Sequence, residues 1–431
     1  MLPAFIGAGQ EMRMKPSRRQ FLAAVSGAVA FGKKWKTERM KSGARSVNER
    51  KIFDVAVIGA GVFGAWTAYF LQKSGATVAL LDSYGPANAR ASSGGESRII
   101  RMGYGADEIY TRWSMRALPL WKQLFDEAGQ PGLFRGTGVL WIAHQDEPYA
   151  LATVATLEKT GAVFEKLSLA DLRRRYPQIV LDDDSWGILE PRSGVLMARR
   201  AVQTVVERAQ RLGVEYWSEA ILAPEGRGHV AKVKTASGES IAAEKFIYAC
   251  GPWLPKLFPE LLGARIFPSR QEVYFFGVPA GDARFGPPAM PTWIELKDEF
   301  YGMPDLESRG FKIANDRHGE SADPDTQSRL PSAEGIATAR KYLARRFPAL
   351  KDAPVVETRV CQYENTSNGD FLIDRHPAFE NVWLVGGGSG HGFKHGPSLG
   401  EYVAARVKQG DAIEPRFSLE TKQTMQKRAV F

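Results

Sequence analysis

Three glycines with the spacing Gly-x-Gly-x-x-Gly occupy positions 59, 61 and 64. In a strand-to-helix turn, Gly59 permits the tight bend, Gly61 lets a diphosphate approach the backbone, and Gly64 lets the helix pack closely on the strand. Asp82 lies 23 positions after Gly59, where a carboxylate can accept hydrogen bonds from ribose hydroxyls and disfavours a 2′-phosphate. The pattern predicts a dinucleotide site; an ordinary turn with incidental glycines is the alternative.

Three basic residues lie in segments where their charges can face a bound anion. Arg98 and Arg101 are three positions apart in a stretch rich in Ser and Gly, so both side chains can face one cavity. A guanidinium matches a planar carboxylate with two parallel hydrogen bonds. Lys394 follows a glycine-rich turn, where the backbone can approach a flat ring closely. Solvated surface side chains are the alternative at each of these positions.

The chain contains two cysteines, Cys250 and Cys361, which are too few for a disulfide scaffold. A lone cysteine is most often a small buried apolar side chain. Composition alone therefore assigns no chemistry to either thiol, and we expect no metal site.

The glycine motif lies inside a pattern typical of a βαβ unit. Residues 54–58 form a short β-branched apolar run, as in a strand buried in a parallel sheet. An amphipathic helix is predicted from the glycines to about Lys73, and residues 77–81 read as a second buried strand ending at Asp82. These are the surroundings that make a glycine motif specific for a dinucleotide.

Later segments complete the predicted sheet and add a second one. The patterns predict a helix over 201–212, a strand over 214–217, a hairpin over 230–241, buried strands over 245–253 and 381–385, and a helix from about Pro397. Residues 262–350 are richer in Pro and aromatics, and alternation such as that of residues 272–276 favours an antiparallel sheet.

The expected fold is α/β with α+β elements. A Rossmann-like nucleotide-binding domain of the FAD type is assembled from the discontinuous segments 52–135, 187–262 and 355–420. An antiparallel-sheet substrate domain is formed by residues 136–186 and 263–354. The length of 431 residues agrees with two or three domains.

The charge of the chain is concentrated at its beginning. The formal net charge is +9, and residues 1–51 contain 12 Lys and Arg against 3 Asp and Glu. The remaining residues carry equal numbers of basic and acidic side chains, so no net field attracts a nucleic acid. No stretch approaches the 18 or so apolar residues of a membrane span.

Residues 1–51 read as an export leader followed by a basic linker. The string Ser17-Arg18-Arg19-Gln20-Phe21-Leu22 precedes a mild apolar run and a small-x-small tripeptide over 28–30. It resembles a twin-arginine signal, which implies the twin-arginine export machinery as a partner and a periplasmic location. An amphipathic N-terminal helix with a chance arginine pair, and hence a cytoplasmic protein, is the alternative.

Several further strings resemble one family of flavoproteins. They are residues 91–101 (ASSGGESRIIR), 190–196 (EPRSGVL), 360–363 (VCQY), 370–374 (DFLID) and 390–394 (GHGFK). Together they resemble the monomeric sarcosine oxidase and N-methyltryptophan oxidase branch of the D-amino-acid-oxidase-like (DAO) FAD-dependent oxidoreductases. The resemblance covers roughly residues 52–425.

The resemblance implies a set of cofactor-binding residues. The arginine matching Arg98 lies at the flavin ring, and the cysteine matching Cys361 carries the flavin as an 8α-S-cysteinyl thioether. Cys250 matches no functional cysteine of the family and is expected in the core. The complete expected cofactor site consists of Gly59, Gly61, Gly64, Asp82, Ser93, Arg98, Cys361, Gly388, Gly390, Gly392 and Lys394.

The resemblance also implies a substrate site. Residues matching Arg101 and Lys394 hold the substrate carboxylate, and those matching Tyr301 and Tyr363 line the substrate cavity. The lysine matching Lys312 lies on the opposite flavin face and promotes reaction with oxygen, because a fixed cation stabilises superoxide-like charge.

Two positions depart from the family pattern. Gly94 replaces a histidine before the first arginine, and Asp316 replaces a histidine four positions beyond the oxygen-activating lysine. These changes are expected to enlarge or re-charge the cavity, which puts sarcosine itself in doubt as the substrate.

The expected enzyme is therefore an FAD-dependent amine oxidase, and its expected substrate and acceptor follow from that activity. It acts on an N-alkyl amino acid or related secondary amine and uses molecular oxygen, giving hydrogen peroxide, as a monomer. A flavin dehydrogenase with another electron acceptor is the main alternative. A non-catalytic nucleotide-binding protein and a nicotinamide-dependent dehydrogenase are less favoured, because neither needs the basic residues and Cys361 together.

Overall fold

The computed structural model describes residues 51–410 and 412–425. The predicted leader and the arginine pair at 18–19 lie outside these residues. Within the described chain, no helix combines the length and the apolar character needed to cross a bilayer.

The strands are numbered in chain order. They are β1 (Ile52–Ile58), β2 (Val78–Leu81), β3 (Arg98–Ile100), β4 (Phe134–Arg135), β5 (Val139–His144), β6 (Glu165–Leu167), β7 (Ser185–Glu190), β8 (Gly194–Leu196), β9 (Glu215–Trp217), β10 (Lys232–Lys234), β11 (Ser240–Tyr248), β12 (Ile266–Phe276), β13 (Thr292–Glu295), β14 (Phe300–Met303), β15 (Phe311–Asn315), β16 (Val355–Thr366), β17 (Leu372–Arg375) and β18 (Val382–Gly386).

The helices follow the same numbering. They are α1 (Val62–Lys73), α2 (Glu108–Glu127), α3 (Pro148–Thr160), α4 (Leu169–Arg175), α5 (Ala198–Arg211), α6 (Leu254–Leu257), α7 (Pro259–Leu262), α8 (Ala333–Arg346) and α9 (Gly396–Gln409).

The first sheet carries the predicted nucleotide-binding topology. Its order is β17-β18-β11-β1-β2-β9, with β10 beside β11. The pairs among β18, β11, β1, β2 and β9 are parallel, whereas β17 and β10 are antiparallel edges. Because the carboxyl ends of parallel strands meet at one edge, the turns after β1, β2, β11 and β18 converge there. That edge is where a dinucleotide is expected.

Helix α1 is more deeply buried than an amphipathic helix. Nine of its twelve residues are buried, because the sheet, α5 and α9 all pack against it. A Cβ added at Gly400 of α9 would lie 2.6 Å from the backbone carbonyl carbon of Trp66, so the two helices pack closely. The amphipathic expectation for this helix is therefore wrong.

The second sheet is almost entirely antiparallel, as predicted. Its order is β16-β12-β15-β14-β13-β5-β7-β6, and the pair β13–β5 alone among these is parallel. Helix α8 covers one face through a core that includes Trp293, Phe311 and Ile313. Since side chains alternate along a strand, Lys312 lies on the opposite face.

Two strands of the antiparallel sheet, β16 and β7, come from segments that were assigned to the nucleotide-binding domain. β16 pairs along its length with β12, although residues 355–420 were assigned to the nucleotide-binding domain. β7 pairs with β5, although that domain was expected to resume at residue 187. Both strands extend the antiparallel sheet. A small third sheet, β3-β8-β4, lies outside both larger sheets.

Candidate active site

The turn after β1 has the close packing that the glycine motif predicts. Gly59 has a φ of +106°, and a Cβ there would lie 2.3 Å from the carbonyl oxygen of Ala249. A Cβ at Gly64 would lie 1.8 Å from the carbonyl oxygen of Gly59. Helix α1 therefore begins directly against the strand, with its N-terminal N–H groups at the sheet edge.

Ser93 and Asp82 support this turn. The Ser93 hydroxyl accepts a hydrogen bond from the N–H of Val62 at 3.0 Å, at the first turn of α1. The Asp82 carboxylate accepts from the N–H of Ala60 at 2.8 Å and from those of Tyr84 and Gly85. Burial raises the pKa of Asp82, while these N–H groups oppose the rise. Both side chains lie on the wall of one cavity.

That cavity of about 380 Å³ runs along the sheet edge. The predicted residues Gly59, Gly61, Asp82, Ser93, Arg98, Tyr363, Gly388, Gly390 and Gly392 line it. Gly390 has a φ of +79°, and a Cβ there would lie 2.8 Å from the Tyr363 ring, so this glycine allows the turn after β18 to approach β16.

Glu364 also lines the cavity and was not anticipated from the sequence. One oxygen accepts from the N–H of Gly388 at 3.2 Å, whereas Oε2 is buried without a hydrogen-bond partner in the described chain. Burial raises the pKa of Glu364 to about 7. No local motif indicates this residue, because its neighbours come from turns distant in sequence.

Cys250 lies on the cavity wall as well. It is partly exposed, and its thiol donates to the carbonyl oxygen of Ile58 at 3.4 Å. Burial raises the pKa of this thiol. Cys250 packs against the core cluster that includes Phe246 and Leu254, in agreement with its expected place in the core, and it also borders the cavity.

Arg98 and Cys361 are brought together from positions far apart in the chain. The Arg98 guanidinium lies 3.2 Å from Cys361 Sγ and donates to the carbonyl oxygens of Ser92 and Ser97. Cys361 lies opposite Gln271 in the β16–β12 pair, on the same sheet face as Val273 and Phe275.

Lys312 projects from the same face into a neighbouring small cavity. Its Nζ donates to the carbonyl and hydroxyl oxygens of Ser97 at 3.0 and 3.1 Å. Arg98, Cys361 and Phe275 line this space with it. Burial and the Arg98 charge lower the pKa of Lys312 to about 7.

Arg101 and Lys394 both contact Tyr104. The Arg101 guanidinium is buried 4.3 Å from the centre of the Tyr104 ring and 4.7 Å from that of Trp141. Lys394 Nζ donates to the Tyr104 hydroxyl at 2.7 Å and to the carbonyl oxygen of His391 at 3.1 Å. Burial and the Arg101 charge lower the pKa of Lys394 well below its usual value.

Two buried side chains hold these cations in place. Glu190 accepts from the N–H groups of Met102 and Gly103 and from the Trp141 indole, which fixes the backbone after Arg101. His395 Nε2 lies 2.8 Å from the Tyr104 hydroxyl, so this hydroxyl is held by both Lys394 and His395. The sequence indicates Glu190 only as part of a motif and does not indicate His395.

Tyr301, Tyr363 and Asp316 form the remaining polar group. The Tyr363 hydroxyl donates to Asp316 Oδ1 at 3.1 Å. Burial raises the pKa of Asp316 to about 6, against the opposing effects of Arg101 and Lys394. Burial also raises the pKa of Tyr301 to about 12. Both tyrosines are therefore neutral hydrogen-bonding groups at physiological pH.

Gly94 does not enlarge the cavity. A Cβ at this position would lie 1.9 Å from the carbonyl oxygen of Asn88, so the backbone leaves no room for a side chain. Its own carbonyl accepts from Arg199 and Arg359. Of the two departures from the family pattern, only Asp316 changes the charge among the residues around Arg101 and Lys394.

Comparison with known proteins identifies the class of enzyme. Residues 54–406 match the DAO family of FAD-dependent oxidoreductases, so the chain belongs to that family and is an FAD-dependent oxidoreductase. It is 33% identical to monomeric sarcosine oxidase of Bacillus sp. (strain NS-129), over 83% of this chain and 93% of that protein. It is 29% identical to N-methyl-L-tryptophan oxidase of Escherichia coli O7:K1, over 83% and 96%.

Proteins with less similar sequences also have this fold. The structure of L-proline dehydrogenase from P. horikoshii superposes with a TM-score of 0.74 at 20% identity, covering 86% of this chain and 98% of that one.

The residues present fit an FAD. Glycines of both turns line the cavity, so no side chain from them occupies it, and the buried Glu364 Oε2 is available to accept a hydrogen bond from a ligand hydroxyl.

Proposed function

We propose that this enzyme oxidises an N-alkyl amino acid or a related secondary amine, with oxygen as the acceptor and hydrogen peroxide as a product. The observation that carries the proposal is the pair Arg101 and Lys394, two buried cations that share Tyr104 and so can hold one carboxylate between them. The likeness to enzymes named for sarcosine and N-methyl-L-tryptophan supports the same substrate class.

In this proposal each residue has a separate task. Arg101 and Lys394 bind the carboxylate, which orients the C–H bond adjacent to nitrogen. Tyr301 and Tyr363 line the cavity beside it. Bound FAD supplies the two-electron acceptor. Buried positive charge also favours the unprotonated amine, the form from which hydride equivalents leave most readily.

The surroundings of Lys312 support an oxidase, which uses oxygen, over a dehydrogenase with another electron acceptor. Its ammonium lies against Ser97 and near Arg98, so reduced oxygen at this position would meet fixed positive charge in a water-poor space. A dehydrogenase has no need of such a group.

Aerobic turnover of N-methyl amino acids tests the oxidase assignment. We expect one hydrogen peroxide for each amine consumed. Turnover that requires an added electron acceptor, with little peroxide under air, would instead indicate the dehydrogenase.

We further propose that Cys361 carries the FAD through an 8α-S-cysteinyl thioether. Sγ lines the small cavity beside Lys312 and lies 3.2 Å from the guanidinium of Arg98, a residue that also lines the cofactor cavity. Forming the bond removes the thiol hydrogen and one hydrogen of the 8α methyl group, and oxygen takes the two electrons and two protons as hydrogen peroxide. A covalent link keeps the cofactor bound and raises the potential of the ring.

Acid precipitation tests the covalent link. Wild-type protein and Cys250→Ala should remain yellow after precipitation, and a peptide containing Cys361 should carry the flavin mass. Cys361→Ala should release all of its flavin. Release of all flavin from the wild type would contradict the link.

Finally, we propose export through the twin-arginine route to the periplasm, as a monomer. The support is the arginine pair at 18–19 and the concentration of charge in residues 1–51. Replacing both arginines by lysine should leave full-length protein in the cytoplasm. A wild type that is itself cytoplasmic and unprocessed would overturn the proposal.

A further inference from the structure

Glu364 lies on the wall of the cofactor cavity, between two turns of the parallel sheet. It belongs to β16, and only 7% of it is exposed. Oε1 accepts from the N–H of Gly388, in the turn after β18. A Cβ added at Gly251, in the turn after β11, would lie 3.7 Å from Oε2, and one added at Gly386, at the end of β18, would lie 3.3 Å from it. Oε2 therefore faces the ends of these two strands.

This second oxygen of Glu364 has no partner within the protein. Oε2 is buried, and no group among the described residues donates a hydrogen bond to it. Burial raises the pKa of Glu364, and the groups that oppose the rise are the backbone N–H groups of Gly387 and Gly388 rather than a cation. Because a buried acceptor without a donor is costly, Oε2 indicates a donor that belongs to the ligand of this cavity.

The group that meets Oε2 must donate a hydrogen bond and carry no negative charge. A phosphate would be repelled by the carboxylate, and the diphosphate of FAD instead suits the start of α1, where Ser93 supports the turn. Between its two ring systems, FAD has hydroxyl groups as its donors. They are on the adenosine ribose and on the ribityl chain, which joins the diphosphate to the flavin ring.

The strand order of the parallel sheet distinguishes these two sets of hydroxyls. Asp82, expected at the ribose, follows β2, which lies on one side of β1. Strands β11 and β18, whose ends face Glu364, lie on the other side of β1. Since the diphosphate is expected at the turn after β1, Glu364 lies toward the flavin half of the cofactor. Cys361 and Tyr363, expected near the flavin, precede it in the same strand.

We propose that Glu364 is a further cofactor-binding residue, which accepts a hydrogen bond from a hydroxyl of the ribityl chain of FAD. It holds the flavin half of the cofactor as Asp82 is expected to hold the adenosine half. The N–H of Gly388 fixes the carboxylate through Oε1 and leaves Oε2 for the ligand.

Exchange of bound flavin tests this contact without any amine substrate. The Cys361→Ala holoenzyme lacks the proposed covalent link, so its FAD can exchange with an added FAD analogue whose ribityl hydroxyls are replaced by hydrogens. The ratio of the two dissociation constants, measured at pH 8 from the flavins bound at equilibrium, gives the preference for FAD over the analogue. At this pH Glu364 is mostly ionised.

Variants in the Cys361→Ala background connect this preference to Glu364. Glu364→Leu should lower it about 10- to 100-fold, the loss expected for one hydrogen bond to a charged group. Glu364→Gln keeps a neutral polar group and should lower it about 3- to 10-fold, which provides the test if the leucine variant does not fold. Glu165→Gln is the control, since Glu165 is 45% exposed and pairs with Arg175.

The preference for FAD separates ligand binding from a purely structural role of Glu364. If Glu364→Leu or Glu364→Gln weakens both flavins equally, the carboxylate only holds the Gly388 turn and the proposal is wrong. An unchanged preference in both variants would also overturn it. Because no amine is oxidised in this experiment, either result leaves the proposed function untouched.

Discussion

The two large sheets contribute to the active site in different ways. The parallel sheet supplies backbone: glycine turns, helix N–H groups and one carboxylate, Asp82, that fixes a turn. The antiparallel sheet supplies side chains with functional groups, namely Lys312, Cys361 and Tyr363 from β15 and β16. The difference suggests that the parallel sheet determines which cofactor binds, whereas the antiparallel sheet and the Arg101 segment determine what the cofactor reacts with.

The largest expected effect is on the reaction with oxygen. Lys312→Met should slow reoxidation of the reduced flavin about 100- to 1000-fold, the usual range for losing one charge-stabilising group. Reduction by substrate should change far less. Stopped-flow measurement of the two half-reactions separates these effects, and Lys159→Met, an exposed lysine paired with Glu108, is the control.

The pH dependence of reoxidation sharpens this prediction. With a pKa of about 7, Lys312 is charged below that pH and neutral above it. The wild-type rate should therefore fall as pH rises through a midpoint at or above about 7, because negative charge on the reduced cofactor favours the ammonium. In Lys312→Met this dependence should disappear. A dependence that persists in the variant would assign it to another group.

The next effect concerns the backbone of the parallel sheet. Gly64→Ala would place a Cβ 1.8 Å from the Gly59 carbonyl oxygen, so the start of α1 must move. We expect a loss of about 2–4 kcal/mol in the free energy of unfolding and reduced flavin content, measured by thermal unfolding and absorbance.

Gly136→Ala is the matched control for the backbone prediction. Gly136 is exposed, and a Cβ there would meet only the Phe134 ring, at 3.6 Å. Equal stability of the two variants would mean that the close approach at Gly64 is not needed.

The smallest expected effect, that of Arg101→Met, should depend most strongly on whether the substrate carries a carboxylate. Arg101→Met removes one charge-assisted contact, about 1.5–3 kcal/mol, and should lower kcat/KM for an N-methyl amino acid well below that for its decarboxylated amine analogue. Arg112 is an exposed arginine paired with Glu108, and Arg112→Met should leave the ratio of kcat/KM values for the two substrates unchanged. An equal loss of kcat/KM for both substrates in Arg101→Met would show that the site does not recognise a carboxylate.

The contrast between local backbone turns and side chains assembled from distant segments explains which parts of the site the sequence could predict. The glycine motif and Asp82 act through residues close to them in the chain, so their spacing alone was informative. Glu364, His395 and the partnership of Tyr104 with Lys394 depend on strands and turns that meet only in the folded protein. The pairing of β16 depends on the fold in the same way, since its partner β12 begins almost ninety residues earlier.

Predictions from local sequence patterns were also wrong where a segment is buried on more sides than usual. Helix α1 is covered on nearly all sides, which a periodicity based on one apolar face does not anticipate. The replacements at Gly94 and Asp316 were together expected to enlarge or re-charge the cavity, yet at Gly94 the backbone of Asn88 occupies the space that a side chain would need.

Anaerobic mixing of the purified holoenzyme with N-methyl amino acids tests the central claim most directly. We expect substrate to bleach the oxidised-flavin absorbance in a ratio of one amine to one flavin. Admission of oxygen should then restore the absorbance with one hydrogen peroxide released. Flavin that stays oxidised with every secondary amine tested, carboxylated or not, would contradict the assignment of this site to amine oxidation.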